Sequence, residues 1–273
     1  MRTIESSLNE LLFLDDLSYQ DTSVHRLDPR SKIIVTFIFV LSVVSFNRFE
    51  IVSLIPYVLY PVFMMGVGRL PVRFFLKRLL LLSPFVIFIG IFNPIFDRRV
   101  MVRLGSFGIT GGWISFSAIL IRYCLTVCAA LVLVACTGFN ALCYGLESMM
   151  VPRIFVVQLL LLYRYIFVLT DEASRMARAR SLRTLKGGSI HIKLFVSLVG
   201  ALLVRTIERA QRIYSAMRAR GFDGTIRLKS SLKFRTQDAL FISFWVALFT
   251  LFRLVNVPLL LGTLFLRISP WLK

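Results

Sequence analysis

Long apolar runs separated by short charged stretches are the main pattern of this chain. About 20 residues of helix cross the hydrocarbon core of a bilayer. The pattern therefore predicts an all-α integral membrane protein with about five transmembrane helices. The uncharged runs cover residues 33–47, 51–68, 79–96, 104–121 with a continuation past Arg122 to 146, and 239–252 with a continuation past Arg253 to 266.

The first run is short for a complete crossing. Lys32 and Arg48 flank it, and both side chains are long enough to reach the two interfaces, so we interpret it as a transmembrane helix followed by a tight external turn. Asp28 is then a natural N-cap, with Pro29 at the first helical position.

Two further runs, 152–170 and 190–204, are apolar over only part of a bilayer's depth and then become basic without a break. In the second, apolar residues such as Ile207, Ala210 and Met217 recur at helical spacing between arginines. We expect two long amphipathic helices joined at Lys186-Gly187-Gly188, with Gly221 as the C-cap of the second.

These runs divide the chain into four parts. Residues 1–30 form a cytoplasmic or interfacial segment without the layout of a signal peptide, and residues 31–137 hold transmembrane helices 1 to 4. Residues 138–237 form a cytoplasmic region with the two amphipathic helices, and residues 238–273 a C-terminal transmembrane helix or hairpin. The loop 69–78 is expected inside and the loop 97–112 outside.

Composition and charge agree with a membrane location. Of the residues, 57% are hydrophobic, the mean hydropathy is +0.78, and the net charge is +19. Between Asp171 and Gln237 there are about fifteen Lys and Arg against four acids, which places this segment in the cytoplasm by the positive-inside rule. No nucleic-acid recognition module is visible, so anionic lipid or an acidic protein groove is the nearer partner.

Within this basic region, the segments 178–182 and 218–222 are near copies, with Arg180 and Arg220 lying 40 residues apart at the ends of the two helical runs. An arginine between small residues brings its planar guanidinium close to a carboxylate or a row of carbonyls. Two such helix ends predict two sockets, that is, two binding sites for an arginine, on partner proteins. The neighbouring arginines are interpreted instead as a solvated charged face: Arg175, Arg183, Arg205, Arg209 and Arg212.

Most catalytic chemistry is absent from the sequence. There is no phosphate-binding Gly-x-x-x-x-Gly-Lys-Ser/Thr run, so ATP hydrolysis is not expected of this chain. The first four predicted crossings lack carboxylates at membrane depth, which argues against proton relays and membrane prenyl-transfer enzymes. A membrane-bound enzyme would have to use Asp15-Asp16 or Asp171-Glu172, and neither pair has an apolar, pocket-like context.

Metal and solute sites are also not indicated. Cys124 and Cys128 have the i, i+4 spacing of a soft-metal site, but no histidine lies near them in sequence, and buried cysteine commonly behaves as a small hydrophobe. Arg122 and Arg164 interrupt apolar runs and are expected to face a helix bundle and bond to carbonyls or an acid, with a role in a solute path as the alternative. No cofactor or metal site is predicted.

An ordered set of motifs resembles the transmembrane T component of energy-coupling factor (ECF) transporters, and most closely the CbiQ type of cobalt uptake systems. The resemblance covers about residues 21–222. Its motifs are the segment DTSVHRLDPRSK at 21–32, Asn93-Pro94, Tyr163-Arg164-Tyr165 leading into Asp171-Glu172-Ala173, and the two Ala-Arg-Ser/Gly ends.

The resemblance implies a non-catalytic scaffold in the bacterial plasma (inner) membrane. It would link a substrate-binding membrane subunit similar to CbiM to a pair of ABC-type ATPases, each holding one arginine in a groove, so that the two helices act as levers. Cobalt would be the solute, with nickel or a vitamin as the alternatives. The implied ATPase-coupling residues are Ala179, Arg180, Ser181, Ala219, Arg220 and Gly221. The alternative is a conventional ABC importer permease. Such subunits carry one coupling loop each, whereas this chain has two helix ends that each carry an arginine for a socket on an ATPase.

Overall fold

The computed structural model describes residues 12–47, 50–96, 100–104, 107–183, 192–224 and 234–255. Within these ranges the chain forms two compact units. Residues 14–138 and 234–255 build the first, called here the membrane unit, and residues 139–183 and 192–224 build the second, the basic unit. The predicted joint at Lys186-Gly187-Gly188 and the chain after 255 lie outside the described residues.

The described elements are almost all helical. The membrane unit contains α1 (12–18) from residue 14 onward, α2 (Pro29–Val44), a 3-10 helix (Val52–Val58), α3 (Leu59–Val67), α4 (Val72–Gly90), α5 (Phe92–Phe96), β1 (Val100–Leu104), β2 (Phe107–Thr110), α6 (Gly111–Thr137) and α10 (Thr236–Leu254). The basic unit contains α7 (Phe139–Ser148), α8 (Arg153–Arg183) and α9 (Ile192–Ala219).

Four helical stretches among the described residues are long and apolar enough to cross a membrane: Val72–Ile95, Gly111–Thr137, Arg153–Leu182 and Thr236–Leu254. The predicted class, an all-α integral membrane protein, is confirmed. Three of these stretches correspond to predicted crossings. The fourth lies on α8, which the sequence interpretation treated as an amphipathic helix and did not count.

Two predicted crossings differ in detail from expectation. Pro56 lies within the second one and provides no backbone N–H, and the chain there forms a 3-10 helix followed by the short α3 rather than one continuous α-helix. The third begins at Val72, so Arg73, Lys77 and Arg78 of the expected loop 69–78 lie on the first turns of α4, and Arg69 precedes the helix.

The predicted external loop 97–112 contains a feature that the sequence interpretation missed. β1 and β2 pair antiparallel with Val102 opposite Ile109 and Leu104 opposite Phe107, and the register shifts between Val100 and Val102. The segment is therefore a small hairpin that leads directly into α6.

The core of the membrane unit surrounds α2. Val35, Phe39 and Val43 on this helix are fully buried, and they pack with aromatic residues from the 3-10 helix, α3 and α10. The rings of Tyr57 and Phe249 stack with centroids 5.9 Å apart, and the Tyr57 hydroxyl donates to the Phe249 carbonyl at 3.1 Å. The other buried aromatic members of this cluster are Tyr60 and Trp245.

Both ends of α2 are held by α6 and α10. At its start, Asp28 caps the helix by accepting from the Arg30 N–H at 2.9 Å, as predicted, while Lys32 donates to the carbonyl of Cys136 near the end of α6. Beyond its last turn, Arg122 of α6 donates to the Asn47 carbonyl, and Arg253 of α10 donates to the Ser45 carbonyl at 3.2 Å. α2 therefore runs antiparallel to α6 and parallel to α10.

Lys32 differs from its predicted role. Instead of reaching the interface, it is only 1% exposed, and its ammonium donates to the carbonyls of Cys136 at 2.9 Å and His25 at 3.3 Å. The last carbonyls of a helix lack intrahelical partners, so a buried ammonium at the end of α6 satisfies groups that would otherwise be left without hydrogen bonds.

Candidate coupling surface on α8 and α9

The basic unit is built around two long helices that carry most of the candidate residues. α8 has 31 residues and α9 has 28, and both change along their length from apolar to charged sequence. On α8, Arg175 binds Asp171 at 2.9 Å and Glu172 at 3.1 Å, the i, i+4 and i, i+3 spacings at which opposite charges stabilise a helix.

Glu172 also connects the two helices. Its carboxylate accepts from Arg205 of α9 at 2.9 Å, and its side chain is only 18% exposed, whereas that of Arg205 is 61% exposed. One carboxylate thus binds an arginine of its own helix and an arginine of the neighbouring helix. The exposure of Arg205 agrees with its predicted place on a solvated charged face, and the structure adds a specific partner on α8.

Two clefts flank this ion pair. One, of about 760 Å³, is lined by Arg175, Met176, Ala179, Arg180 and Leu198 together with the pair itself. The other, of about 210 Å³, is lined by Leu169, Thr206, Glu208, Arg209 and Arg212, again with the pair. Glu172 and Arg205 therefore form a wall shared by both clefts.

The first Ala-Arg motif lies inside the last turn of α8 rather than beyond it. Arg180 is half-buried in the wall of the larger cleft, and the Ser181 hydroxyl donates back to the Arg178 carbonyl at 2.8 Å. Leu182, the next residue, is 84% exposed. The helix therefore presents Arg180 from a rigid turn.

The second motif ends α9 in a Schellman motif. Gly221 has φ +80°, and its N–H donates to the Arg218 carbonyl at 3.0 Å, while the Phe222 N–H donates to the Met217 carbonyl at 3.0 Å. The prediction that Gly221 caps this helix is confirmed. Arg220 occupies the capping position with an exposed side chain, so the cap fixes where its guanidinium leaves the helix.

A stripe of large apolar residues runs along α9. Its members recur every three to four residues or at multiples of that spacing and are exposed in this chain, which places them on one helix face. The members are Val196, Val199, Leu203, Ile207 and Tyr214.

The remaining candidate residues are not among those that line the two clefts. Arg122 bonds to a backbone carbonyl, as predicted, whereas Arg164 is exposed on α8. Cys124 is exposed, and Cys128, Cys136 and Cys143 are buried. Within the part of the chain that the structure describes, no group of three or more potential metal ligands occurs.

Sequence reasoning missed the roles of Arg205 and Lys32 for the same reason. Each has a partner distant in sequence: Glu172 is 33 residues from Arg205, and Cys136 is 104 residues from Lys32. The sequence does indicate a partner for Arg205. Glu172 is one of only four acids in the basic segment 171–237, so more than one arginine is expected to bind it.

Long apolar helices combined with a pair of basic helices that carry a repeated Ala-Arg motif define a multi-pass membrane protein with a charged surface. The profile of the CbiQ family, described as cobalt transport protein, matches residues 20–233. The chain therefore belongs to the CbiQ family.

Relatives of known name point to the same class. The chain is similar to the "Energy-coupling factor transporter transmembrane protein EcfT" of Heliobacterium modesticaldum, at 30% identity over 75% of this chain and 81% of the relative. The proteins of the same name from Ruminiclostridium cellulolyticum (28% identity, 83% of this chain, 90% of the relative) and Streptococcus thermophilus (26%, 75% and 83%) match over similar lengths.

Proposed function

We propose that this chain is the membrane coupling subunit, the T component, of an ECF-type importer, and that it transmits the motion of two ABC-type ATPases to a substrate-binding membrane subunit similar to CbiM. The family match and the names of the EcfT relatives support the transporter class. The ion pair between Glu172 and Arg205 is the observation that carries the mechanical part, because it links the two motif-bearing helices directly.

The two motifs supply the contacts to the ATPases in this proposal. Arg180 and Arg220 each enter a groove on one ATPase, where the planar guanidinium binds a carboxylate or backbone carbonyls. The small neighbours Ala179, Ser181, Ala219 and Gly221 let the groove close around the helix backbone. The Schellman motif at Gly221 supports this role, since it holds Arg220 in a defined direction.

The apolar stripe on α9 supplies the contact to the substrate-binding subunit. When ATP brings the two ATPases together, their grooves move, and the ends of α8 and α9 follow. Because Glu172 and Arg205 connect the helices, a displacement of one end is transmitted to the other helix and to its apolar stripe. A subunit packed on that stripe would shift or tilt in the membrane.

The proposed location follows from charge. The basic unit lies on the cytoplasmic side of the bacterial plasma membrane, because its excess of arginine favours the inner face under the positive-inside rule. The ATPases require this side, where ATP is available. The chain itself acts as a non-catalytic subunit of the ATP-hydrolysing complex.

Co²⁺ is the solute that the family description favours. The chain need not bind the ion, since the substrate-binding subunit would do so. Uptake of Co²⁺ compared with Ni²⁺, measured in cells that express the complete set of subunits, tests this part separately from the coupling mechanism.

The coupling proposal is tested with Arg180→Ala, Arg220→Ala and the double variant. Losing a guanidinium leaves its partner carboxylate buried and unpaired in the groove, so each single variant should lower uptake about tenfold or more. Membrane insertion should remain normal. Arg212→Ala is the matched control, because this exposed arginine of α9 pairs only loosely with Glu208 at 3.8 Å.

Ala219→Leu tests the close approach without changing charge, and it should reduce co-purification of the ATPases with the chain. Normal uptake by the double arginine variant would refute the coupling role of the motifs. Counting subunits in the purified complex separates the two importer types: one copy of this chain supports the T component, and two copies support a conventional permease.

A further inference from the structure

The membrane unit contains the two points at which the chain leaves for the basic unit and returns from it. The chain leaves after Gly138, directly behind the last turn of α6, and it returns ahead of α10, where Arg235 is the N-cap. Both points contact the same turn of α2, residues 28–32. We call this set of contacts the α2 anchor.

The departing end is held by Lys32. Its buried ammonium donates to the Cys136 carbonyl at 2.9 Å, two residues before the chain leaves the unit. Gly138 itself donates its N–H to Val134 at 2.8 Å and so closes the last turn of α6. The end of this helix is therefore fixed by a charge-assisted bond and cannot fray without exposing or stranding Lys32.

The direction in which the chain departs is fixed as well. Gly138 has φ +74° and ψ 152°, a backbone conformation that is essentially restricted to glycine. A Cβ atom at this position would lie 2.6 Å from the Ser18 hydroxyl oxygen. The backbone turns here in a way that only glycine permits, against a neighbour that leaves no space for a side chain.

The returning end is held by Asp238. Its carboxylate accepts from the backbone N–H of Asp28 at 2.7 Å and, on the other oxygen, from the N–H of Arg235 at 2.8 Å. The Ser31 hydroxyl lies 3.5 Å away, and Asp238 is only 2% exposed. A carboxylate in the first turn of a helix is favoured by the helix dipole, so this contact stabilises α10 while tying it to α2.

We propose that Lys32 and Asp238 are positioning residues of the transport cycle: they hold both connections to the basic unit on one turn of α2, so that motion of α8 and α9 reaches the membrane unit undiminished. The proposal rests on the coupling function proposed above. If either connection frayed, displacement of the basic helices would be absorbed by unwinding at the end of α6 or the start of α10.

Lys32→Met and Asp238→Asn test the proposal in the complex with its ATPases. Both variants should keep ATPase binding and ATP hydrolysis, because neither residue belongs to the Ala-Arg motifs, yet uptake of Co²⁺ per ATP hydrolysed should fall about tenfold, a typical size for coupling between sites. In hydrogen-exchange mass spectrometry, amides at the end of α6 and around residues 235–238 should exchange faster.

Thr36→Val is the matched control. Thr36 lies one turn further along α2 and is buried, and its hydroxyl bonds to the Tyr60 hydroxyl of α3 at 2.8 Å rather than to the end of α6 or the start of α10. This variant should lose stability through the loss of a buried hydrogen bond while keeping uptake per ATP at the wild-type value. Equal loss of uptake in Thr36→Val and Lys32→Met would overturn the proposal, because stability alone would then explain both.

Unchanged uptake per ATP in Lys32→Met and Asp238→Asn would also overturn it. If Lys32→Met does not accumulate in membranes, the proposal is tested with Asp238→Asn and with Lys32→Arg, which keeps the positive charge. Uptake of Co²⁺ per ATP hydrolysed and hydrogen exchange at the two connections are measured as before. Failure of the coupling function itself has a different signature: the wild-type chain would not bind the ATPases at all, whereas faster exchange at both connections in the variants would still be observed.

Discussion

Glu172 of α8 and Arg205 of α9, which are 33 positions apart in the chain, form an ion pair at 2.9 Å between the two helices. The same carboxylate binds Arg175 at 3.1 Å on its own helix. The two arginines therefore make similar contacts to one acid, but only the contact with Arg205 joins the helices. This difference provides a direct test of whether the link between α8 and α9 matters for transport.

We expect Arg205→Gln to reduce uptake about fivefold, within the range typical of coupling between sites, because α9 is then no longer tied to α8. Hydrogen exchange along both helices should accelerate. Glu172→Gln should behave in the same way, since it weakens the same contact.

Arg175→Gln is the matched control for this pair. It removes an arginine from the same carboxylate but leaves the connection between helices in place, so uptake should stay close to that of the wild type. A loss in Arg175→Gln as large as that in Arg205→Gln would show that the total charge around Glu172 matters, and not the link.

Gly221 offers a second test, directed at the end of α9. A side chain in the left-handed region costs about 1–2 kcal/mol, so Gly221→Val should unravel the Schellman motif and misdirect Arg220. ATPase binding should weaken. Asn tolerates this conformation better than other residues, and Gly221→Asn should retain most of the binding in a pull-down.

Gly138→Ala should destabilise the membrane unit by at least 1–3 kcal/mol, the order of magnitude for backbone strain of this kind. The contact of 2.6 Å with Ser18 adds to that strain. The midpoint of thermal unfolding in detergent measures the effect. Gly66→Ala is the control, because a Cβ atom at that helical position has no neighbour within 4 Å, and the higher helix propensity of alanine should raise stability by up to about 1 kcal/mol.

His25 makes the stability of the chain depend on pH. Burial, and then the charge of Lys32, lower the pKa of this side chain from its ordinary value of 6.5, and they outweigh the backbone hydrogen bonds with Leu17 and Ala135 and the charge of Asp21, which raise it. The unfolded chain therefore binds a proton at higher pH than the folded chain does, and stability falls as pH drops from about 6.5 toward the lower pKa of the folded state.

Thermal unfolding at pH 7.5 and at pH 5.5 would show this loss. In His25→Gln the decline should be smaller, because the variant has no group that titrates at this position. The hydrogen bond between the Thr22 hydroxyl and His25 Nδ1, 2.6 Å long, is retained only in part by glutamine, so the comparison uses the difference between the two pH values rather than the stability itself.

Local features of the fold were predictable from the sequence. Asp28 as N-cap, Pro29 at the first helical position and Gly221 as C-cap are set by neighbouring residues, and the structure confirms all three. The apolar runs predicted the existence of α6 and α10, since a long uncharged helix in lipid has few alternatives, but not their ends, because the run 104–146 also includes β2 and part of α7.

Features that depend on distant partners were not predictable in this way. Lys32 flanks an apolar run as an interfacial lysine would, and only the approach of Cys136 shows that its ammonium is buried. Asp238 stands at the start of the last apolar segment in the sequence, and only the structure shows that its carboxylate accepts from the Asp28 N–H, 210 positions earlier in the chain. The coupling roles of Arg180 and Arg220 stay predictions, because a contact with another subunit is not a property of this chain alone.

The α2 anchor also has a consequence for the connectivity of the chain. Lys32 binds the end of α6 through the Cys136 carbonyl, and Asp238 at the start of α10 binds the Asp28 N–H, so the end of one helix and the start of the other meet at the first turn of α2. Residues 139–231 are therefore an insertion into the membrane unit, and both of its ends are fixed by one turn of the same helix.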